Sequence, residues 1–126
     1  MSTRLTFEQA VTLYREFLKA RNWGNGNPRD LAISISLEAN ELLEHYQWAD
    51  TPVGTPDELA DELADILLYA IQFADHYGID IPSAFQNKME KSAKKYPAED
   101  FTSTDPHALR EAWLTAKKRH VKKESL

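Results

Sequence analysis

Apolar residues recur every three or four positions along most of this chain, and the rhythm breaks at clusters of glycine, proline and asparagine. Thr6 followed by Gln9 has the form of a capping box, after which Phe7, Ala10, Val11, Tyr14, Phe17 and Leu18 keep helical spacing. This first helix is expected to stop near Arg21-Asn22, ahead of the loop Trp23-Gly24-Asn25-Gly26-Asn27. Asn27 as cap and Pro28 at the first helical position open a second helix, expected to run to about Trp48. After the break Asp50-Thr51-Pro52-Val53-Gly54, the run Thr55-Pro56-Asp57-Glu58 starts a third helix with a Thr cap, an early Pro and a Glu three residues after the cap. Its apolar stripe is Leu59, Leu63, Ile66, Ala70 and Phe73, and Gly78 ends it. A fourth helix is expected from Pro82, limited by Pro97, with Ile81, Phe85, Met89, Ser92 and Tyr96 along one side and Lys88, Lys91 and Lys95 along the other. Following a linker over 97–104, Asp105-Pro106 caps a last helix on which Leu109, Ala112, Trp113, Ala116 and His120 share a face, with a basic tail expected to fray. No strand-like alternation of useful length and no internal repeat interrupts this pattern. The predicted fold is all-α: a four-helix bundle formed by residues 1–97, with linker, accessory helix and basic tail in 98–126.

Length and composition narrow the class. At 126 residues and 42% hydrophobic the chain suits one globular core. No apolar run approaches membrane-spanning length, and the start Met-Ser-Thr-Arg-Leu-Thr lacks the apolar stretch of a signal peptide, so the expected location is cytoplasmic. Without cysteine, any metal must be held by oxygen or imidazole. The net charge of −5 is uneven: residues 1–100 carry 17 acids against 9 Lys and Arg, whereas 101–126 carry 3 against 6. An acidic body argues against binding a nucleic-acid polymer, though not against a nucleotide held through metal.

The chemistry concentrates in two acidic stretches, Glu38-Ala39-Asn40-Glu41 and Glu62-Leu63-Ala64-Asp65, each inside a helical pattern. Three-residue spacing puts each pair of carboxylates on one helix face. Glu38 shares its register with Leu31, Ile35 and Leu42, so an acid interrupts an apolar stripe. Carboxylates seldom face a core unless something pairs them, and two such helices side by side would bring four together. Protonation or a divalent cation would relieve their repulsion. Asp57, Glu58 and Asp61 near a helix start are read instead as partners of the helix dipole. A di-iron bundle site is disfavoured because neither His45 nor His76 has the Glu-x-x-His spacing; His45 reads as a bystander four residues after Glu41.

The order of these motifs carries a resemblance. Leu37-Glu38-Ala39-Asn40-Glu41-Leu42-Leu43-Glu44-His45-Tyr46-Gln47-Trp48, then Glu62-Leu63-Ala64-Asp65-Ile66-Leu67-Leu68-Tyr69, then Asn87-Lys88 and Lys95-Tyr96-Pro97, resemble the MazG-like nucleotide pyrophosphohydrolases, within them the compact dCTP pyrophosphatase branch. Leu37 stands where many relatives carry a further Glu, which that branch also lacks, while Gly26 stands where relatives often carry a His that bears on base choice. The resemblance implies a Mg²⁺-dependent enzyme, with Mn²⁺ as a substitute, that cuts nucleoside triphosphates between the α and β phosphates. It implies Glu38, Glu41, Glu62 and Asp65 as metal ligands, with Glu38 or Glu41 as general base, and a homo-oligomer, dimer or tetramer.

By the same resemblance Asn87, Lys88, Lys95 and Tyr96 are candidates for the triphosphate, whereas Lys91 and Lys94 read as an ordinary solvated face. Trp23 and Trp48, at element ends, are candidates for stacking on a base, with Asn22, Asn25 and Asn27 as polar neighbours. Trp113 reads as packing or interface. The expected substrate is dCTP or a related pyrimidine deoxynucleotide; an all-α dUTP pyrophosphatase and a catalytically silent helical binding module are the rival readings.

Overall fold

A computed structural model describes residues 3–124. Among them lie five α-helices, α1 (Phe7–Ala20), α2 (Pro28–Glu44), α3 (Pro56–Tyr77), α4 (Ile81–Lys95) and α5 (Pro106–Glu124), one 3-10 turn at Ala98–Phe101, and no strand. This is the all-helical class that the pattern predicts. None of these helices is long and apolar enough to cross a membrane. The chain divides into two compact units, Met1–Ile79 and Asp80–Leu126, and each is described by itself.

In the first unit the helix starts follow from their caps. Thr6 and Gln9 exchange side-chain bonds with each other's backbone N–H at 2.9 and 3.1 Å, and Thr55 and Glu58 do the same at 3.0 and 3.2 Å. Asn27 Oδ1 accepts from the Arg29 N–H at 2.9 Å. Two helices stop in the same way. Asn22 (φ 54°) and Gly78 (φ 62°) adopt left-handed backbone, and the following residue returns its N–H to the helix: Trp23 to Leu18 O at 2.9 Å, Ile79 to Ala74 O at 2.8 Å. The turn at Asn22 thereby folds Trp23 back toward the end of α1.

α2 ends at Glu44, four residues before the expected Trp48. The N–H groups of Tyr46 and Gln47 reach back only three residues, and the His45 carbonyl accepts from the Val53 N–H at 2.9 Å. The connection to α3 therefore closes from His45 onward, ahead of the break that Asp50 to Gly54 announce.

α2 packs along α3, and the buried side chains of this unit are Val11 and Leu18 of α1, Leu31 of α2, and Ile71 and Ala74 of α3. Each large one gains about 1.5–3 kcal/mol from burial. The expected stripe of α3 is thus shifted toward its C-terminal half, and Leu63 stands 53% exposed outside it. α1 is tied to α3 by the Gln72 amide donating to Tyr14 Oη at 2.5 Å and by a two-pronged Arg15–Asp75 pair at 3.0 and 2.8 Å. Both partners of that ion pair are well exposed, so it sets the register of the two helices and adds at most about 1 kcal/mol.

In the second unit α4 begins at Ile81, one residue ahead of expectation, because Asp80 is the cap: its carboxylate accepts from the Ser83 N–H and hydroxyl at 3.1 and 2.5 Å. Pro82 then takes the second helical position, where no N–H is needed. Ala116 of α5 is buried, the Phe101 ring meets Tyr96 edge-on at 6.2 Å, and Arg119 reaches Asp100 at 3.4 Å. Of the tail expected to fray, the described part stays helical to Glu124; Ser125 and Leu126 lie outside the described residues.

Candidate functional site

Glu38 and Glu41 sit one turn apart on α2, Glu62 and Asp65 one turn apart on α3. Packing of α2 on α3 gathers one carboxylate oxygen from each of Glu38, Glu41 and Glu62 to within 4.8 Å of one another. Asp65 stands beside this trio, its charge felt by Glu38 on one side and by Tyr14 on the other. The electrostatics record the crowding. Glu38 holds its proton above the usual carboxylate range, first through a proton-sharing contact with Glu41, then through burial and the charges of Glu41, Asp65 and Glu62. Glu62 is raised by burial first and by Glu41 next, with His45 acting against both.

Two oxygens in this cluster, Oε2 of Glu38 and Oε2 of Glu62, are buried and accept no hydrogen bond. A buried carboxylate oxygen without a partner is costly, and three acids so close resist ionising together. A divalent cation would answer both costs at once. The donors are carboxylate oxygens alone, a set that suits Mg²⁺ or Mn²⁺ rather than zinc.

His45, read from sequence as a bystander of Glu41, instead faces Glu62 on the other helix: Nε2 lies 3.6 Å from Glu62 Oε1. Asp65 in turn lines a cavity of about 320 Å³ walled by Tyr14, Phe17, Trp23, Tyr69 and Gln72. Trp23 is therefore placed beside the acidic cluster, its ring edge-on to Phe17 at 6.0 Å. Trp48 stands 86% exposed past the end of α2. Asn22 and Asn25 line a second cavity of about 340 Å³ with Arg15 and Asp75, and Asn27 is occupied as the cap of α2. The polar groups in the cavity with Asp65 are instead Tyr14, Tyr69 and Gln72. Tyr69 and Gln72 follow Asp65 by four and seven residues, a one-face spacing visible in the sequence, whereas Tyr14 was hidden as one more member of an amphipathic stripe.

The remaining candidates belong to the second unit. Asn87 and Lys88 are exposed in the middle of α4. Lys95 is half-buried with Nζ 5.4 Å from the centre of the Tyr96 ring, and Tyr96 closes the helix by returning its N–H to Ser92 O at 2.8 Å.

Residues 33–107 match the MazG-like family, a span that includes all four acids and Asn87, Lys88, Lys95 and Tyr96. The chain belongs to the MazG-like family. Among curated MazG-like relatives, dCTP pyrophosphatase 1 of Mus musculus is 35% identical over 101 residues, which are 73% of this chain and 59% of that protein. The Homo sapiens protein of the same name is 34% identical over 102 residues, 74% of this chain and 60% of its own. The chain thus spans about three-fifths of the length of the curated relatives it matches. The crystal structure of a pyrophosphatase from Archaeoglobus fulgidus is similar with a TM-score of 0.61 at 33% identity, over 77% of this chain and 97% of that one.

Proposed function

We propose that this chain is a nucleoside triphosphate pyrophosphohydrolase that converts dCTP or a related pyrimidine deoxynucleotide to monophosphate and pyrophosphate, removing surplus or non-standard nucleotides from the pool. The observation that carries the reading is the three-carboxylate cluster with its two unpartnered buried oxygens, in a chain whose relatives include proteins named dCTP pyrophosphatase. Glu38, Glu41 and Glu62 would hold the cation, with Asp65 one turn on as the fourth acid. Bound there, Mg²⁺ or Mn²⁺ neutralises phosphate charge and lowers the pKa of a water.

The chain's own groups do the rest. The general base in this reading is Glu38 or Glu41, whose carboxylates both belong to the cluster. Trp23 and Tyr14 offer aromatic faces to a base in the cavity that Asp65 borders, and the Gln72 amide, held by Tyr14 Oη, offers a polar edge to read it. Lys88 and Lys95 supply ammonium groups for the phosphates that leave, and Asn87 and Tyr96 add hydrogen bonds.

The catalytic domain in this reading is residues 1–97, acting in the cytoplasm as a homo-oligomer. Support for assembly comes from large apolar side chains left exposed on each helix, among them Ile33, Leu37, Leu63, Leu67, Phe85 and Met89. The test is a panel of dNTPs and NTPs incubated with and without Mg²⁺. The reading expects cation-dependent release of monophosphate and pyrophosphate, fastest with dCTP; faster turnover of dUTP would reassign the substrate, and inertness toward every nucleotide would make the chain a binding module.

A further inference from the structure

His45 caps the C-terminus of α2, and its carbonyl is engaged by the Val53 N–H, which turns the α2–α3 connection back over the residue. Gly54 then lies directly on the imidazole: a Cβ at that position would come within 2.3 Å of both Cε1 and Nδ1. No residue with a side chain could occupy it without moving the ring. Clamped in this way, the side chain is only 13% exposed. Its Nδ1 is buried with no hydrogen-bond partner, while Nε2 faces a carboxylate oxygen of Glu62 at 3.6 Å. Of the two ring nitrogens, Nε2 is the one that faces an acceptor, Oε1 of Glu62. Glu62 Oε1 is turned to the ring, and Oε2 is left as the buried, unpartnered oxygen of the cluster.

A carboxylate's terminal torsion is broad, and a ligand that must offer one particular oxygen gains from having the other held. We propose that His45 is a positioning residue: held by the Gly54 turn, it anchors Oε1 of Glu62 and so presents Oε2 to the cation that Glu38, Glu41 and Glu62 bind. This rests on the metal reading given above. The role needs an N–H donor at the reach of Nε2, which glutamine supplies and leucine does not; neither substitution touches the backbone bond to Val53.

The test uses Mn²⁺ alone as probe, titrated into the full chain without nucleotide and followed by loss of the free-ion electron paramagnetic resonance signal, with the melting midpoint of each metal-free variant measured alongside. His45→Leu is expected to weaken Mn²⁺ binding by at least ~10-fold, the scale on which partners of metal ligands act, while the metal-free midpoint holds or rises. His45→Gln is expected to stay within ~10-fold of wild type. Wild-type affinity in His45→Leu, or equal losses in the Leu and Gln variants, would overturn the positioning role and leave the metal site standing. A wild-type chain that takes up no Mn²⁺ would overturn the metal reading and this inference with it.

Discussion

Replacing Gly54 by alanine adds one methyl group at the most crowded point of the α2–α3 turn. The new Cβ would lie 2.3 Å from two atoms of the His45 ring and 2.6 Å from Glu58 Oε2, where ordinary contact begins near 3.4 Å. The ring must therefore retreat by about 1 Å, with little room to do so at 13% exposure. Forced overpacking of this kind costs about 1–3 kcal/mol. The Glu58 carboxylate is a flexible end and moves more easily, yet moving it breaks its bond to the Thr55 N–H, the return half of the α3 capping box, at up to ~1 kcal/mol more. Together these give a loss of about 1–4 kcal/mol and a fall in melting midpoint on the order of 10 °C for a chain of this size. Circular dichroism melts of the metal-free protein would measure it. Gly54→Ala combined with His45→Ala supplies the control: with the ring gone the methyl has space, so the double variant should be more stable than the sum of the single losses by ~1 kcal/mol or more. A Gly54→Ala midpoint within experimental error of wild type, or strictly additive losses, would refute the close approach.

Glu38→Gln, Glu62→Gln and Asp65→Asn are each expected to lower turnover by orders of magnitude while the helical signal is retained, measured by product release in excess Mg²⁺ and far-ultraviolet dichroism. Because Glu38 and Glu62 both carry pKa values raised above 4.5 in the folded state, their contribution to stability is complete below that value and is lost as pH rises through the shifted ones. The metal-free protein should therefore melt at a higher temperature near pH 5 than near pH 7, and Glu38→Gln should flatten that dependence; Asp80, lowered from 3.8, loses its contribution only at more acid pH and stays out of this window. Lys88→Ala is expected to weaken triphosphate binding more than monophosphate binding, with Lys91→Ala as control, read by calorimetry with a non-hydrolysable analogue. Trp23→Ala should abolish tryptophan quenching by that analogue and Trp48→Ala should leave it in place, since only Trp23 lines the cavity beside Asp65.

What the sequence made legible was local chemistry. Thr6/Gln9, Thr55/Glu58, Asn27-Pro28 and Gly78 each act within a few residues, so the helix starts and the end of α3 could be read directly. The acidic pairs were legible because a three-residue spacing has one meaning on a helix. What escaped depends on contacts between elements. The early end of α2 follows from a bond between His45 and Val53, eight residues apart, and no local rule announces it. His45 reads as a bystander four residues after Glu41 because spacing along one helix is all that a sequence displays, whereas Glu62, which it faces, stands on the next. Tyr14 and Gln72, 58 residues apart, meet only once α1 lies on α3. The buried part of α3 likewise moves to Ile71 and Ala74 because its neighbours, not its own periodicity, choose which turns are covered.

In the proposed reaction the cluster on α2 and α3 directs water onto the α-phosphorus of a nucleoside triphosphate. Hydrolysis of dCTP with Mg²⁺ in ¹⁸O-labelled water, with both products analysed by mass spectrometry, tests it most directly. Attack at the α-phosphorus gives dCMP carrying the label and unlabelled pyrophosphate; label in pyrophosphate, or products dCDP and phosphate, would contradict it.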